Sequence, residues 1–414
     1  MAGDSWIASA ARPLARGVVA GFETGTRVTF PDGSVVEGGR GPVRANVKVR
    51  TWSALARFLL DPELEFGIAY ESGEITVDGD LVALCEAAFD PRRPITLPNS
   101  LAAVARRVAG RLPRGNGLTQ ARENIARHYD LGTDFYELWL DRELIYTCAY
   151  YRSRSDGLEE AQRAKLDHVC RKLDLRPGER VLEAGCGWGA LALHMARRRG
   201  VSVVACNISH DQIAYARRRA RAEGLEDRVR FVEDDWRNLD GEFDAFVAVG
   251  MLEHIGRENY EELGLAIDRI LTPEGRGLLH FIGRNVECET AAWLEQRIFP
   301  GAYMPTLRES LRVLEPRGFS VLDVENLRLH YALTLEAWLE RFERARDRVE
   351  QRFGPVFVRA WRLYLASSLA SFRAGSCQLF QVLFARATKN DLPLTRDHVY
   401  SRDGAPAAWT AATS

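Results

Sequence analysis

No apolar run in the 414 residues approaches the roughly 20 needed to cross a bilayer. The N-terminus also lacks the apolar core of a signal peptide. Both absences point to a cytoplasmic chain, with peripheral contact at the inner face of the membrane left open. Cysteine is sparse: seven residues, with no C-x-x-C pair and no Cys/His spacing of a zinc site. No metal is expected, and the thiols read as the reduced ones of a cytosol. Charge of one sign is missing too. Lys and Arg total 56 against 57 Asp and Glu, a formal net charge of -1, so nothing pulls the whole chain toward nucleic acid.

What is present centres on Val181–Leu182–Glu183–Ala184–Gly185–Cys186–Gly187–Trp188–Gly189. An apolar run enters three alternating glycines, and a helix-forming run from Ala190 to Ala196 follows. This reads as strand, tight turn and helix. Glycine lets a ligand approach the main chain closely. The spacing is neither that of dinucleotide binders nor that of P-loops, and no Lys stands at the helix start to meet phosphates. On this stretch alone, a ligand cradle and a structural turn both remain open.

Before the turn, short apolar runs broken by Gly and Pro31–Asp32–Gly33 read as a small α+β module from about Val18 to Asp90. The first ten residues, mostly small, are expected to fray. A basic helix followed by a Pro/Gly break spans about 98–120, which sets an N-terminal accessory domain at 1–117. That helix reads as a solvated face or a contact with an anionic membrane.

After the turn, strands Val201–Cys206, Val229–Glu233, Phe243–Val249 and Gly277–Gly283 alternate with helices, with Pro273–Glu274–Gly275 between the last helix and strand. The pattern predicts an α/β fold, a seven-stranded, mostly parallel sheet of Rossmann-like kind with helices on both faces. Ligands bind beyond the carboxyl ends of such strands. Residues 284–306, with Trp293, Phe299 and Tyr303, break the rhythm and read as a lid or substrate wall. A strand Phe319–Leu329, a charged helix Leu335–Phe353, an apolar helix Phe357–Phe372 and a strand Leu379–Phe384 complete a domain over 118–390. Residues 391–414 read as a loose tail.

The glycine turn resembles motif I of class I S-adenosylmethionine-dependent methyltransferases. A wider set is more specific: His128–Tyr129–Asp130–Leu131, Tyr146–Thr147–Cys148–Ala149–Tyr150, Met251–Leu252–Glu253–His254–Ile255–Gly256 and Leu329–His330–Tyr331–Ala332. With the turn, five motifs in order resemble the cyclopropane-fatty-acid synthase family. The resemblance is strong over about 120–285 and weaker over the N-terminal module, which is similar to the accessory domain of phospholipid-acting members.

The resemblance implies cyclopropanation of unsaturated acyl chains in membrane phospholipids, with S-adenosyl-L-methionine as cofactor and bicarbonate as proton acceptor. It implies an anion cradle of the Cys148 amide, Glu253, His280, the Ile282 amide and Tyr331. Either a protonated Glu253 or a cationic His280 would balance the anion. Alone, His280 reads as a core histidine and Glu253 as a helix N-cap or substrate contact; the surrounding motifs favour the anion site. For the cofactor the resemblance assigns Tyr146, Thr147, Gly185, Gly187, Gly189, Asn207, Gln212 and Trp236. Asn207 stands where many methyltransferases place an acidic residue, and an amide can serve a diol as donor and acceptor. Many members carry a cysteine where Ser368 stands here, which reads as a packing change, because the alkene is itself the nucleophile. The N-terminal module is expected to serve homodimer formation or membrane docking. Rival readings are methyl-branched or methylene acyl products, a small-molecule N-methyltransferase and a non-catalytic lipid binder.

Overall fold

A computed structural model describes residues 2–90 and 131–400, with backbone alone over residues 2–8. The expected boundary near residue 117, the basic helix of 98–120 and His128, Tyr129 and Asp130 lie outside the described residues. The chain forms two compact units, neither continuous in sequence.

The first unit comprises Met1–Leu140, Ile282–Thr306 and Arg328–Leu379. Its four-stranded sheet holds β1 (Gly25–Thr29), β2 (Val35–Gly38), β3 (Val43–Val49) and β4 (Ile75–Gly79), in the order β2-β1-β3-β4. The β1–β2 hairpin turns at Pro31–Asp32–Gly33 as predicted, and the Asp32 carboxylate accepts the Ser34 backbone N–H at 3.0 Å. Helices Trp52–Leu60 and Leu81–Ala88 start on side-chain caps, Thr51 and Asp80, that accept otherwise orphaned backbone N–H groups. The first residues, expected to fray, fall on a regular element. Ala2–Ala20 is a helix, favoured by a run rich in alanine, the strongest helix former.

The 284–306 segment is docked within this unit. A side chain on Gly67 would begin 2.2 Å from the Trp293 indole, so the ring lies directly on the Pro62–Ser72 helix. The indole N–H donates to Glu71 Oε2 at 3.2 Å, and Arg297 pairs with the same buried carboxylate. Arg359 and Arg362 bind the Glu71 carbonyl and the Tyr70 hydroxyl at 2.7 and 2.8 Å.

Two expected elements are redrawn. Residues 328–332 open a helix, Arg328–Arg344, and do not extend the preceding strand. The expected break between helices 335–353 and 357–372 falls at Gly354 (φ 81°, ψ 168°), where the following Pro355 excludes the helical conformation, and an additional break at Ala345 divides the first of them.

The second unit comprises Asp141–Phe281, Leu307–Leu327 and Phe380–Ser414. Its sheet has β5 (Arg180–Ala184), β6 (Ser202–Asn207), β7 (Val229–Glu233), β8 (Phe243–Val249), β9 (Leu271–Gly283), β10 (Phe319–Asn326) and β11 (Gln378–Arg386). The order is β10-β11-β9-β8-β5-β6-β7. β7, β6, β5, β8 and β9 run parallel, and β10 is antiparallel to β11. Alternate strand residues feed two cores: Val181, Ala245, Val247 and Leu278 on one face, Leu182, Ala184, Phe246 and Leu279 on the other. This is the expected Rossmann-like architecture, with helices on both faces. β9 begins earlier than expected. Phe243 pairs with Leu271 and Ala245 with Arg276, so Thr272–Gly275 loops out of the ladder instead of preceding the strand.

The tail is held as far as Tyr400. Arg396 pairs with Asp323 at 3.2 Å and Arg171 donates to the Val399 carbonyl at 2.8 Å, which fixes the short helix Asp397–Tyr400.

Candidate active site

The glycine turn closes β5 against β6. The Gly185 and Cys186 N–H groups both donate to the Cys206 carbonyl, at 2.9 and 3.1 Å. All three glycines have positive φ, the region that favours glycine, yet they face different surroundings. A Cβ on Gly189 would stand 2.6 Å from the Phe231 ring, whereas a Cβ on Gly187 would meet nothing within 4 Å. Gly189 therefore serves close packing, and Gly187 floors an open space.

At the end of β6, Asn207 Oδ1 accepts the Ile208 N–H at 2.8 Å and its Nδ2 donates to Gln212 Oε1 at 2.6 Å. The pair is buried and locked, as a binding amide needs to be. After β7, Asp235 caps a 3₁₀ turn and holds Arg237, whose guanidinium lies 4.3 Å from the centre of the Trp236 ring. Trp236 thereby sits at the carboxyl edge of the sheet with one face covered by a cation.

The segment carrying Tyr146, Thr147 and Cys148 is positioned by the Leu158–Lys172 helix. Gln162 donates to the Thr147 carbonyl at 2.9 Å and the Ile145 carbonyl at 3.3 Å. One turn later Lys165 Nζ donates to the Thr147 hydroxyl at 3.0 Å. Asp141 accepts the Glu143 and Ile145 N–H groups and braces Leu144, which has a φ of 55°. Burial drives the Lys165 ammonium down to about 8, against the pull of Asp141, Cys148 and Glu183. Burial likewise drives the Glu183 carboxyl up to about 8, opposed by Lys165.

Glu253 and His280 come from adjacent strands. β8 ends at Val249, opposite His280 on β9, and the Gly250 N–H donates to the His280 carbonyl at 2.8 Å. Glu253 follows in the 3₁₀ turn Leu252–His254 and is buried. The His280 ring is buried as well. Its Nδ1 accepts from Gln381 Nε2 at 3.0 Å, and its Nε2 has no hydrogen-bond partner. Burial, then the positive charges of Lys165, Lys172 and the His168 site, hold His280 well below the usual imidazole range. With Nδ1 accepting from Gln381, the ring proton stands on Nε2, and the neutral ring favours a protonated Glu253 over a cationic histidine as the balance for an anion. The buried Nε2–H is a donor without an acceptor, the kind of orphan that fits a bound anion.

Ile282 and Tyr331 fall in the first unit. Tyr331 lies on the Arg328–Arg344 helix, its ring 4.6 Å from Phe372 and 5.9 Å from Trp338. Sequence reasoning missed Gln162, Lys165 and Gln381. A glutamine inside the apolar run Leu379–Phe384 was the available signal, since a buried strand rarely carries an amide without a use for it.

Residues 116–382 match the family model described as mycolic acid cyclopropane synthetase. The cyclopropane-fatty-acyl-phospholipid synthase of Escherichia coli (strain K12) is 42% identical over 270 residues, 65% of this chain and 69% of that protein. A probable fatty acid methyltransferase of Pseudomonas putida is 37% identical over 294 residues, 67% of this chain and 73% of that one. Among solved structures, the mycolic acid cyclopropane synthase CmaA1 complexed with SAH and CTAB superposes with a TM-score of 0.61 at 28% identity, covering 64% of this chain and 98% of that one. The strand–turn–helix at Gly185–Gly189, the locked amide pair and this match together show that the chain belongs to the mycolic acid cyclopropane synthetase family of S-adenosylmethionine-dependent methyltransferases.

Proposed function

We propose that the chain is a cyclopropane fatty acid synthase acting on the cis double bond of unsaturated acyl chains in membrane phospholipids. The observation that carries the reading is the buried, unpartnered Nε2–H of His280 at the strand ends where the glycine turn also lies. S-adenosylmethionine, when bound, would supply the methyl that becomes the ring methylene, and a bicarbonate held by the cradle would provide the base for the proton lost on closure.

An alkene is a weak nucleophile and its cation is easily trapped, so the chain's task is alignment and exclusion of water. Gly187 gives the cofactor a floor free of side chain, Asn207 and Gln212 offer a fixed donor and acceptor to a ribose diol, and Trp236 offers its ring to the adenine. Thr147, held by Lys165, and Tyr146 bound the same space. His280 presents Nε2–H to the anion and, being neutral, adds no charge; the balancing proton is then carried by Glu253. The Cys148 amide completes the donors that this unit contributes. The same reading makes the protein a peripheral one at the inner face of the membrane, with the N-terminal module serving docking or a homodimer. In support, no described helix is long and apolar enough to cross a membrane.

Glu253→Ala tests the assignment of that side chain. Turnover on unsaturated phospholipid vesicles is expected to vanish while S-adenosylmethionine affinity stays within about twofold, and Glu253→Gln, which keeps a donor, retains more turnover than Glu253→Ala. Loss of cofactor affinity in Glu253→Ala would move the residue to the cofactor site.

A further inference from the structure

Cys288 and Cys377 share one cation. Arg284 Nη1 donates to the Cys288 sulfur, and the Cys377 sulfur lies near enough to the same guanidinium for its charge to be felt there. The arginine is itself fixed at the root of the 284–306 segment. Its backbone N–H donates to the Pro305 carbonyl at 2.9 Å, its side chain donates to the Glu289 carbonyl at 3.0 Å, and it bridges to Thr306. Cys377 Sγ lies 4.0 Å from Met304 Sδ, which packs the second thiol against the other limb of the segment. All of these residues belong to the first unit. Of the seven cysteines, Cys288 alone is exposed and the other six are buried. Burial pushes the Cys85, Cys170 and Cys206 thiols up to about 12 and raises Cys186 well above the ordinary thiol range, which leaves them inert.

We propose that Cys288 and Cys377 form a peroxide-reactive dithiol, with Cys288 attacking the oxidant and Cys377 resolving the product to a disulfide. The chemistry requires a thiol that solvent can reach, a cation beside the reacting sulfur, and a second thiol at hand. The Arg284 guanidinium supplies the cation at Cys288, and the Arg284–Pro305 backbone bond beside Met304, on which Cys377 packs, brings the second thiol to the same place. In the first step Cys288 sulfur bonds to one oxygen of hydrogen peroxide, the O–O bond breaks, and water leaves with the thiol proton; Cys288 is then a sulfenic acid. In the second step Cys377 sulfur attacks that sulfur, the S–OH bond breaks and a second water leaves. Two thiols lose two electrons and two protons, and one peroxide becomes two waters. The disulfide ties the start of the 284–306 segment to the end of the Arg346–Ala374 helix. A dithiol here is independent of the reaction proposed above.

The test uses the full-length chain exposed to a small molar excess of hydrogen peroxide, with free thiols titrated and peptides mapped under non-reducing conditions. The expected result is loss of two thiols, one cross-linked Cys288–Cys377 peptide, and full reversal by dithiothreitol. Cys288→Ser abolishes the cross-link; Cys377→Ser leaves Cys288 trapped by a sulfenic-acid reagent. Arg284→Lys keeps the charge but not the fork, and slows the reaction several-fold while circular dichroism is unchanged. Oxidation of Cys288 without any cross-link to Cys377, or reaction of Cys288 no faster than in the urea-unfolded chain, would overturn the proposal.

Discussion

Gln381 Nε2 donates to His280 Nδ1 at 3.0 Å, in a site where both side chains are buried. The bond fixes the tautomer: an amide N–H at Nδ1 leaves the ring proton on Nε2, the nitrogen without a protein partner. Gln381→Leu removes that constraint, and turnover is expected to fall about 10–100-fold, the range found for outer-shell partners of metal-bound histidines, with cofactor affinity unchanged. Gln381→Glu is the sharper variant, because a carboxylate there takes the proton to Nδ1 and turns Nε2 into an acceptor. The imidazole nitrogen shifts in NMR report the tautomer directly. Unchanged shifts in Gln381→Glu would show that the contact does not set it.

Gly187 and Gly189 separate binding from folding. Gly187→Ala places a methyl in open space at a φ of 52°, at a cost of about 1–2 kcal/mol, so the chain stays folded while S-adenosylmethionine affinity drops at least about tenfold. Gly189→Ala drives its methyl onto Phe231 and adds about 1–3 kcal/mol of overpacking. Calorimetric titration and thermal unfolding of the two variants distinguish these effects. Wild-type affinity in Gly187→Ala would remove the turn from the cofactor site.

Glu325 on β10 accepts from His168 Nε2 and pairs with Lys172, each at 2.7 Å. Burial alone would raise its carboxyl, but the His168 hydrogen bond and the Lys172 charge outweigh it and bring it down to about 2. A carboxyl depressed on folding stabilises the native state fully above its ordinary value of 4.5, and that contribution is lost as pH falls from about 4.5 toward 2. Glu325→Gln leaves Lys172 buried without its closest counter-charge, and near neutral pH it is expected to cost on the order of 3 kcal/mol. Urea unfolding as a function of pH checks both points. The difference between wild type and Glu325→Gln shrinks through the acid window; a difference that stays constant there would contradict the assignment.

Much of the sheet was legible because its signals are local. β5 to β8 are apolar runs, and the three glycines after Ala184 announce a turn before any fold is known. What escaped depends on distant partners. Leu329 reads as the end of a strand, yet it lies in the opening turn of a helix whose Arg328 binds the Phe372 carbonyl. The 284–306 segment reads as a lid or substrate wall, but nothing local announces that Trp293 meets Glu71, 222 residues away. Lys165 and His168 are polar residues on one helix, yet both are buried, because Thr147 and Glu325 bring them acceptors from elsewhere in the chain. The surroundings of His280 were not legible for the same reason: its partner Gln381 lies 101 residues downstream.

The central claim is that the buried Nε2–H of His280 belongs to an anion site that turns methyl transfer into ring closure. The most direct measurement incubates the purified chain with S-adenosylmethionine, bicarbonate and vesicles of unsaturated phospholipid, then reads the acyl chains by mass spectrometry and proton NMR. The account predicts a gain of one CH₂ per modified chain, loss of the vinylic protons and appearance of cyclopropane ring protons, with the rate falling when bicarbonate is removed. A methyl-branched or methylene product, or methylation of an amine with the acyl chains untouched, would contradict it.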